Sequence, residues 1–320
     1  MYGICKIENG EGLNIIIKLT TSARKKSCIY FKIRRYHWNQ DKSLQVSLIM
    51  ASQAEVERLC AELVRAVQAQ MDPTSPPNVR MEAITHCEDF KEQSPPALGV
   101  QCGLFLSQNC NSNATTGISP SSLGIVRHFG LKLVEDIIKL RWNDMNGEEK
   151  IYVKNNAMRL MDEGASDILS EDLHIKDVIA RIVVEIAKRE WPQQWPSFLT
   201  ELESLCTKGY TQTELVMFVM LRLTEDVAVL QTLEQSQRRK EIYQALTSQM
   251  DIIFQFLLKL LDQHYQAYLC AGLENPNNRT DIQRRTHSKV CQAVLETFNA
   301  FVEWAPMANI MANDHYLVCS

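Results

Sequence analysis

The segment Ile175–Phe198, IKDVIARIVVEIAKREWPQQWPSF, holds a helix, a corner and the start of another helix. Ile175, Val178, Ile179, Ile182, Val183 and Ile186 recur at three-and-four spacing, so one apolar stripe must face a neighbour. Pro192 disfavours the helical region at Trp191 and ends that helix. Pro196, whose missing N–H costs nothing in a first turn, suits the opening of the next. Trp191 and Trp195 lie between, each with about 200 Å² of surface to bury. A helix, a corner filled by two indoles and a second helix make the joint between stacked helical pairs. This reading gives Trp191, Pro192, Trp195 and Pro196 a structural role.

The same periodicity extends outward in both directions. Val56, Leu59, Cys60, Leu63, Val64 and Val67 form one stripe, and Val79, Ala83, Ile84, Cys87 and Phe90 another; Asp72–Pro77 turns between them. A short helix over Leu98–Leu106 precedes a polar loop, Ser107–Ser122. Ile125, Val126, Phe129, Leu133, Val134, Ile137, Ile138 and Leu140 form the longest clean stripe. Further helices are expected over Tyr152–Met161, Phe198–Leu205, Leu215–Leu230, Ile242–Tyr268 and Thr286–Trp304. Second-helix centres near residues 84, 133, 182, 222 and 295 repeat at roughly 40 to 50, the period of HEAT-type repeats. The expected fold is an all-α solenoid of stacked hairpins forming a right-handed superhelix, each hairpin burying its stripe on the next. Met311–Val318 reads as the start of another helix, so the array is expected to continue past the chain's end.

Composition agrees with a folded helical protein: 320 residues, 45% hydrophobic, 12 Gly and 10 Pro. The most apolar run, Ile252–Leu261, contains Lys259 and is too short to span a membrane. The ten cysteines show no C-x-x-C pair; Cys60, Cys87, Cys206 and Cys291 fall within helical patterns as small hydrophobes, which fits a reducing compartment. Residues 1–45 carry a balance of +6, leaving −10 on the rest of a chain whose net charge is −4. An acidic body argues against sequence-blind nucleic-acid binding. Residues 1–49 read as a disordered leader, although Leu13–Leu19 and Cys28–Ile33 are mildly strand-like and Arg24-Lys25-Lys26 is basic. Ser52, with Glu55 three residues on, is a good N-cap for the first repeat.

No catalytic constellation emerges. His287 and Cys291 lie one helical turn apart, but no second pair at ligand spacing accompanies them, so neither metal nor cofactor is expected. Gly99–Gly103 lacks any phosphate-loop lysine or following strand. His264 and His174 read as partly exposed, and Arg238-Arg239-Lys240 and Arg284-Arg285 as solvated helix faces. The second helix of each pair is expected to line the concave wall. Its polar residues are therefore the candidate binding surface: Arg80, Glu82, Glu88 and Asp89; Arg127, Lys132, Glu135, Asp136 and Lys139; Lys176, Asp177, Arg181 and Glu185.

Lys188-Arg-Glu-Trp-Pro-Gln-Gln-Trp-Pro196 resembles the motif that closes the N-terminal domain of importin-β-superfamily transport receptors and opens the exportin-like domain. Gly124–Leu131, His174–Asp177, Arg181–Glu185 and Thr211–Phe218 resemble the exportin branch as well, and the similarity runs from about Met50 to Pro306. The resemblance implies N-terminal-type repeats over 50–190 and the start of an exportin-like domain over 191–320. It also implies a non-enzymatic export receptor that shuttles between nucleus and cytoplasm. Such a receptor binds Ran·GTP through its first repeats, carries double-stranded hairpin RNA (precursor microRNA) when full-length, and meets nuclear pore proteins but no membrane. The alternative is a helical-repeat scaffold without Ran dependence. The leader and Asn109–Ser122 have no counterpart in the family pattern.

Overall fold

The computed structural model describes residues 3–9, 13–19, 52–108, 120–229, 236–273 and 278–306. The basic cluster at Arg24, the Cys28–Ile33 segment, most of the Asn109–Ser122 insertion and Met311–Val318 lie outside them. The chain divides into two units, Met1–Ile49 and Met50–Ser320. In the first, β1 (Gly3–Asn9) and β2 (Leu13–Leu19) pair antiparallel with Gly3 opposite Leu19. The strand-like character of Leu13–Leu19 thus finds the partner that its own sequence does not announce.

The second unit is all-α among its described residues. Its helices are α1 (Gln53–Met71), α2 (Pro77–Gln93), α3 (Pro96–Gln108), α4 (Pro120–Arg141), α5 (Gly147–Glu163), α6 (Leu173–Glu190), α7 (Phe198–Cys206), α8 (Tyr210–Thr224), α9 (Ser236–Ser248), α10 (Met250–Leu273) and α11 (Asn278–Val302). A π-turn, Glu225–Val229, continues α8. Consecutive helices pair as α1/α2, α3/α4, α5/α6, α7/α8 and α10/α11, and α4, α6, α8 and α11 pack side by side in one row with α2 at its start. The hairpins therefore share one stacked core rather than each owning one, as expected of helical repeats.

Local chemistry sets the boundaries. The Ser52 side chain accepts from the Glu55 amide at 3.3 Å and starts α1. Asn146 and Glu149 form a reciprocal capping box that starts α5. Glycines decide how closely α3 approaches α4: a Cβ on Gly103 would meet the Gly130 carbonyl oxygen at 2.6 Å, and one on Gly130 would meet that of Gly103 at 2.6 Å. The glycine run Gly99–Gly103 is thus a helix-crossing surface.

The tryptophan corner behaves as the sequence implies. α6 ends at Glu190, and Trp191 and Trp195 are 1% and 2% exposed. Both indoles flank Phe198 on α7, at ring-centroid distances of 6.0 and 4.8 Å, and the Trp195 Nε1–H donates to Glu201 at 3.1 Å. Pro196 stands just before the N-cap Ser197, not in the first turn as expected. The Trp191–Pro192 peptide is cis.

Other expectations need correction. The single helix expected over Ile242–Tyr268 is two, broken at Gln249. Just before the break, the Thr247 and Ser248 hydroxyls turn back on the carbonyls of Tyr243 and Ala245, both at 2.9 Å, a local alternative to helical propagation. Val79 and Ile84 on α2, and Ile125 and Leu140 on α4, belong to the apolar stripes by spacing but are exposed. His264, expected partly exposed, is buried because it faces His287 across the α10/α11 hairpin, with their Nδ1 atoms 3.0 Å apart. Burial first, then the His287 ring, lowers its pKa to about 4. Cys60 and Cys87 are buried, whereas Cys206 and Cys291 are only half-buried.

Candidate functional site

The candidate binding residues lie on α2, α4 and α6, and the structure joins about half of them into one network that continues onto α8. Lys91 at the end of α2 pairs with Glu88 at 2.9 Å and with Asp136 on α4 at 3.3 Å. Lys132 meets Asp136 at 3.0 Å and Glu135 at 3.1 Å. Glu135 reaches Arg181 on α6 at 3.1 Å, Arg181 also holds Asp177, and Asp177 accepts from Arg222 on α8 at 2.9 Å. Arg222 ends the chain on Glu225 at 2.7 Å. One ladder of alternating charge therefore crosses four helices and three repeat boundaries. Its members sit where side chains of adjacent helices meet, which is where helical-repeat arrays must fix their register.

Burial makes these pairs consequential. The Glu135 side chain is 6% exposed. Burial pushes the Lys91 ammonium down, but hydrogen bonds to Glu88 and Asp136 and their charges outweigh it and hold its pKa above the ordinary lysine value. Burial likewise pushes the Lys132 ammonium down, but its bonds to Asp136 and Glu135 and their charges outweigh it and hold its pKa above the ordinary lysine value.

Other candidates are committed elsewhere. Arg127 donates to both carboxylate oxygens of Glu171, at 3.0 and 2.9 Å, and to the Gly164 carbonyl at 2.6 Å. Burial pushes the Glu171 carboxyl up, but Arg127 and the Ser166 amide win and hold its pKa below the ordinary value. Glu185 is buried between Lys188 and Arg189, and Lys188 continues to Asp226 at 2.8 Å. Lys176, expected on the polar wall, is instead 2% exposed; its ammonium bonds Glu214 of α8 at 2.7 Å and the Ile168 carbonyl at 3.0 Å. Burial raises the Glu214 pKa, and Lys176 works against that rise. Glu82, Asp89 and Lys139 are exposed, and no ion pair among the described residues uses their side chains.

At the helix ends stands a second device that sequence reasoning missed. Arg141 donates to the Lys91 and Ser94 carbonyls at the end of α2, at 3.2 and 2.5 Å. Arg189 donates to the Lys139 carbonyl near the end of α4 at 2.6 Å. Arg238 donates to the Lys188 carbonyl at 2.8 Å and to the Trp191 carbonyl at the end of α6. Each arginine is 50 residues beyond the lysine whose carbonyl it caps. A guanidinium at a helix C-terminus satisfies orphan carbonyls and meets the negative end of the helix dipole. The signal was present in the sequence: Arg141, Arg189 and Arg238 recur at the repeat period.

No helix among the described residues is long and apolar enough to cross a membrane, and no group of three or more potential metal ligands occurs among them.

Comparison with known proteins adds to this geometry. The family model described as "Exportin 1-like protein" matches residues 172–319. Human Exportin-5 is 43% identical over 260 residues, covering 81% of this chain and 20% of that protein. Mouse Exportin-5 is 42% identical over 264 residues, 82% of this chain and 20% of the relative. Protein HASTY 1 of Arabidopsis thaliana is 26% identical over 251 residues, 78% of this chain and 19% of the relative. The chain spans about a fifth of the length of these curated relatives.

Proposed function

The chain belongs to the exportin family, and on that premise we propose that it forms the Ran-binding repeats of a nuclear export receptor. Residues 50–190 are its N-terminal repeats and residues 191–320 the start of its exportin domain. In this reading Ran·GTP docks on the second-helix row, and the receptor to which these repeats belong carries double-stranded hairpin RNA between nucleus and cytoplasm, past nuclear pore proteins. The mechanism is linkage rather than catalysis. Both ligands favour the same arrangement of the repeats, so binding of one strengthens the other by the same factor.

The observation that carries this reading is the ion ladder from Glu88 to Glu225, together with the exposed side chains it leaves beside it. A row whose members are pinned to their neighbours transmits a change at one repeat boundary to the next. Glu82, Asp89 and Lys139 are unspent on that row and are the first choices for direct contact. Arg127, Lys132, Asp136, Asp177, Arg181 and Glu185 act first as positioning residues for the surface.

The test is calorimetric titration of the full chain with Ran loaded with a non-hydrolysable GTP analogue or with GDP, with and without hairpin RNA. We expect nanomolar-to-micromolar affinity for the GTP form and little for the GDP form. Equal affinity for the two discards the switch and leaves a helical-repeat scaffold.

A further inference from the structure

The last second helix of the row, α11, presents cations of a different kind. Arg284, Arg285 and Lys289 line a surface cavity of about 510 Å³ together with Tyr268 on α10 and Leu169 in the turn before α6. That volume is within the range of about 300–1,000 Å³ typical of ligand sites. Asp281 is the only acid among its lining residues, so the cavity is locally basic on a unit that is acidic overall. None of the three cations takes part in an ion pair among the described residues. Lys289 lies near enough to Glu214 to ease that carboxylate's burial, but Lys176 is the residue that bonds it.

Arg284 is also held in place. Its guanidinium carbon sits 4.8 Å from the centre of the Tyr268 ring, and one nitrogen donates to the Tyr268 hydroxyl at 2.9 Å. A guanidinium stacked on an aromatic face and tied at one corner has lost its freedom before any ligand arrives. Its remaining N–H groups are then available as a fork for an oxyanion.

We propose that this cavity docks a carboxylate-rich peptide segment of a partner protein. The walls fit such an occupant. Three cations meet its carboxylates, Tyr268 and Leu169 offer apolar contact to side-chain stems, and Ser288 and Gln292 offer hydrogen bonds to a peptide backbone. Duplex nucleic acid fits less well. It carries one charge per about 1.7 Å of axis and extends past a patch of three cations on a unit whose net charge is negative, which opposes the gain. This site is independent of the Ran reading and survives its failure.

The experiment is fluorescence anisotropy of the full chain with a fluorescein-labelled peptide of alternating Asp and Glu. A matched Asn/Gln peptide and a hairpin RNA serve as comparison probes. The acidic peptide should bind, and the Asn/Gln peptide should bind roughly tenfold or more weakly, since complementary charge governs partner choice. The double variant R285E/K289E should weaken acidic-peptide binding by a similar factor. R284K, which keeps the charge but loses the stacked fork, gives a second readout should the double variant unfold; it should weaken binding several-fold. Acidic-peptide binding untouched by these variants, or its absence, overturns the proposal. So does tighter binding of the hairpin RNA with the same dependence on Arg285 and Lys289, which makes RNA the occupant.

Discussion

Along α2, α4, α6 and α8, Lys91, Lys132, Arg181 and Arg222 are each held by carboxylates, most of them reaching across a repeat boundary. On α11, Arg284, Arg285 and Lys289 are held by none among the described residues. The same residue types on equivalent helices thus do different work. In the first four repeats they set register between helices that apolar packing alone would let slide. In the fifth they leave local charge uncompensated, and a sizeable basic cavity accompanies them. A charge that is already paired contributes rigidity; an unpaired one near a fixed aromatic is available to a ligand.

The comparison breaks most visibly at the buried end of the paired region. Lys176→Met leaves Glu214, whose side chain is 1% exposed, without its ammonium. Removing one partner of a buried pair costs about 3–5 kcal/mol, whereas replacing both by apolar residues is often nearly neutral. Urea denaturation of the full chain should therefore show a loss of that size for K176M and recovery of most of it in K176M/E214L. The sign with pH follows from burial. Without Lys176, the folded-state pKa of Glu214 rises further above its unfolded value, so the folded state binds the extra proton. The K176M deficit should shrink as pH falls towards the ordinary carboxylate range and grow as pH rises. A deficit independent of pH, or a double variant no better than the single, would show that the pair is not the cause.

A smaller effect is expected at the ladder's middle. Arg181→Ala removes a guanidinium shared by Glu135 and Asp177, joining α4 to α6. Hydrogen bonds to charged groups contribute about 1.5–3 kcal/mol, and Arg181 is one-third exposed, so the lower end, about 1.5 kcal/mol, applies. Because repeat arrays couple mainly to nearest neighbours, hydrogen exchange should quicken in α4 and α6 before α1 or α11. Lys139→Ala, whose side chain makes no ion pair among the described residues, is the control and should move stability by less than about 0.5 kcal/mol.

How far the sequence discloses all this depends on the range of the interaction. The tryptophan corner was legible because Trp191, Pro192 and Trp195 act on their own segment: the proline ends the helix and the indoles bury against the next few residues. The hairpin order was legible because apolar spacing within a helix reports its own buried face. The break at Gln249 was not, since it rests on two hydroxyls choosing their own backbone inside a long apolar run. His264 reads as partly exposed until α11 is known to lie against it. The candidate site was half legible. Spacing placed Asp136, Asp177 and Arg181 on the polar faces of the second helices. It could not show that they meet Lys91, Glu135 and Arg222, because which turn of one helix faces which turn of the next depends on how the hairpins stack. The arginine caps are periodic too: Arg141, Arg189 and Arg238 recur at the same repeat period as the apolar stripes.

The smallest expected effect sharpens the comparison most. If Arg285 and Lys289 are free of structural duty, reversing both charges should leave folding almost untouched, within about 0.5 kcal/mol, as for surface substitutions away from special features. Both lie in the first half of α11, where acidic residues are at least as well placed as basic ones relative to the helix dipole. Lys289→Glu adds one unfavourable contact, since it brings a second acid towards Glu214, so K289E alone should account for whatever loss appears. Thermal unfolding of R285E, K289E and the double variant separates the two contributions. A loss approaching that of R181A from R285E alone would place the cations of α11 in the same structural class as those of α4 and α6. The contrast between the two regions would then collapse, and with it the reason to look for a ligand at the cavity.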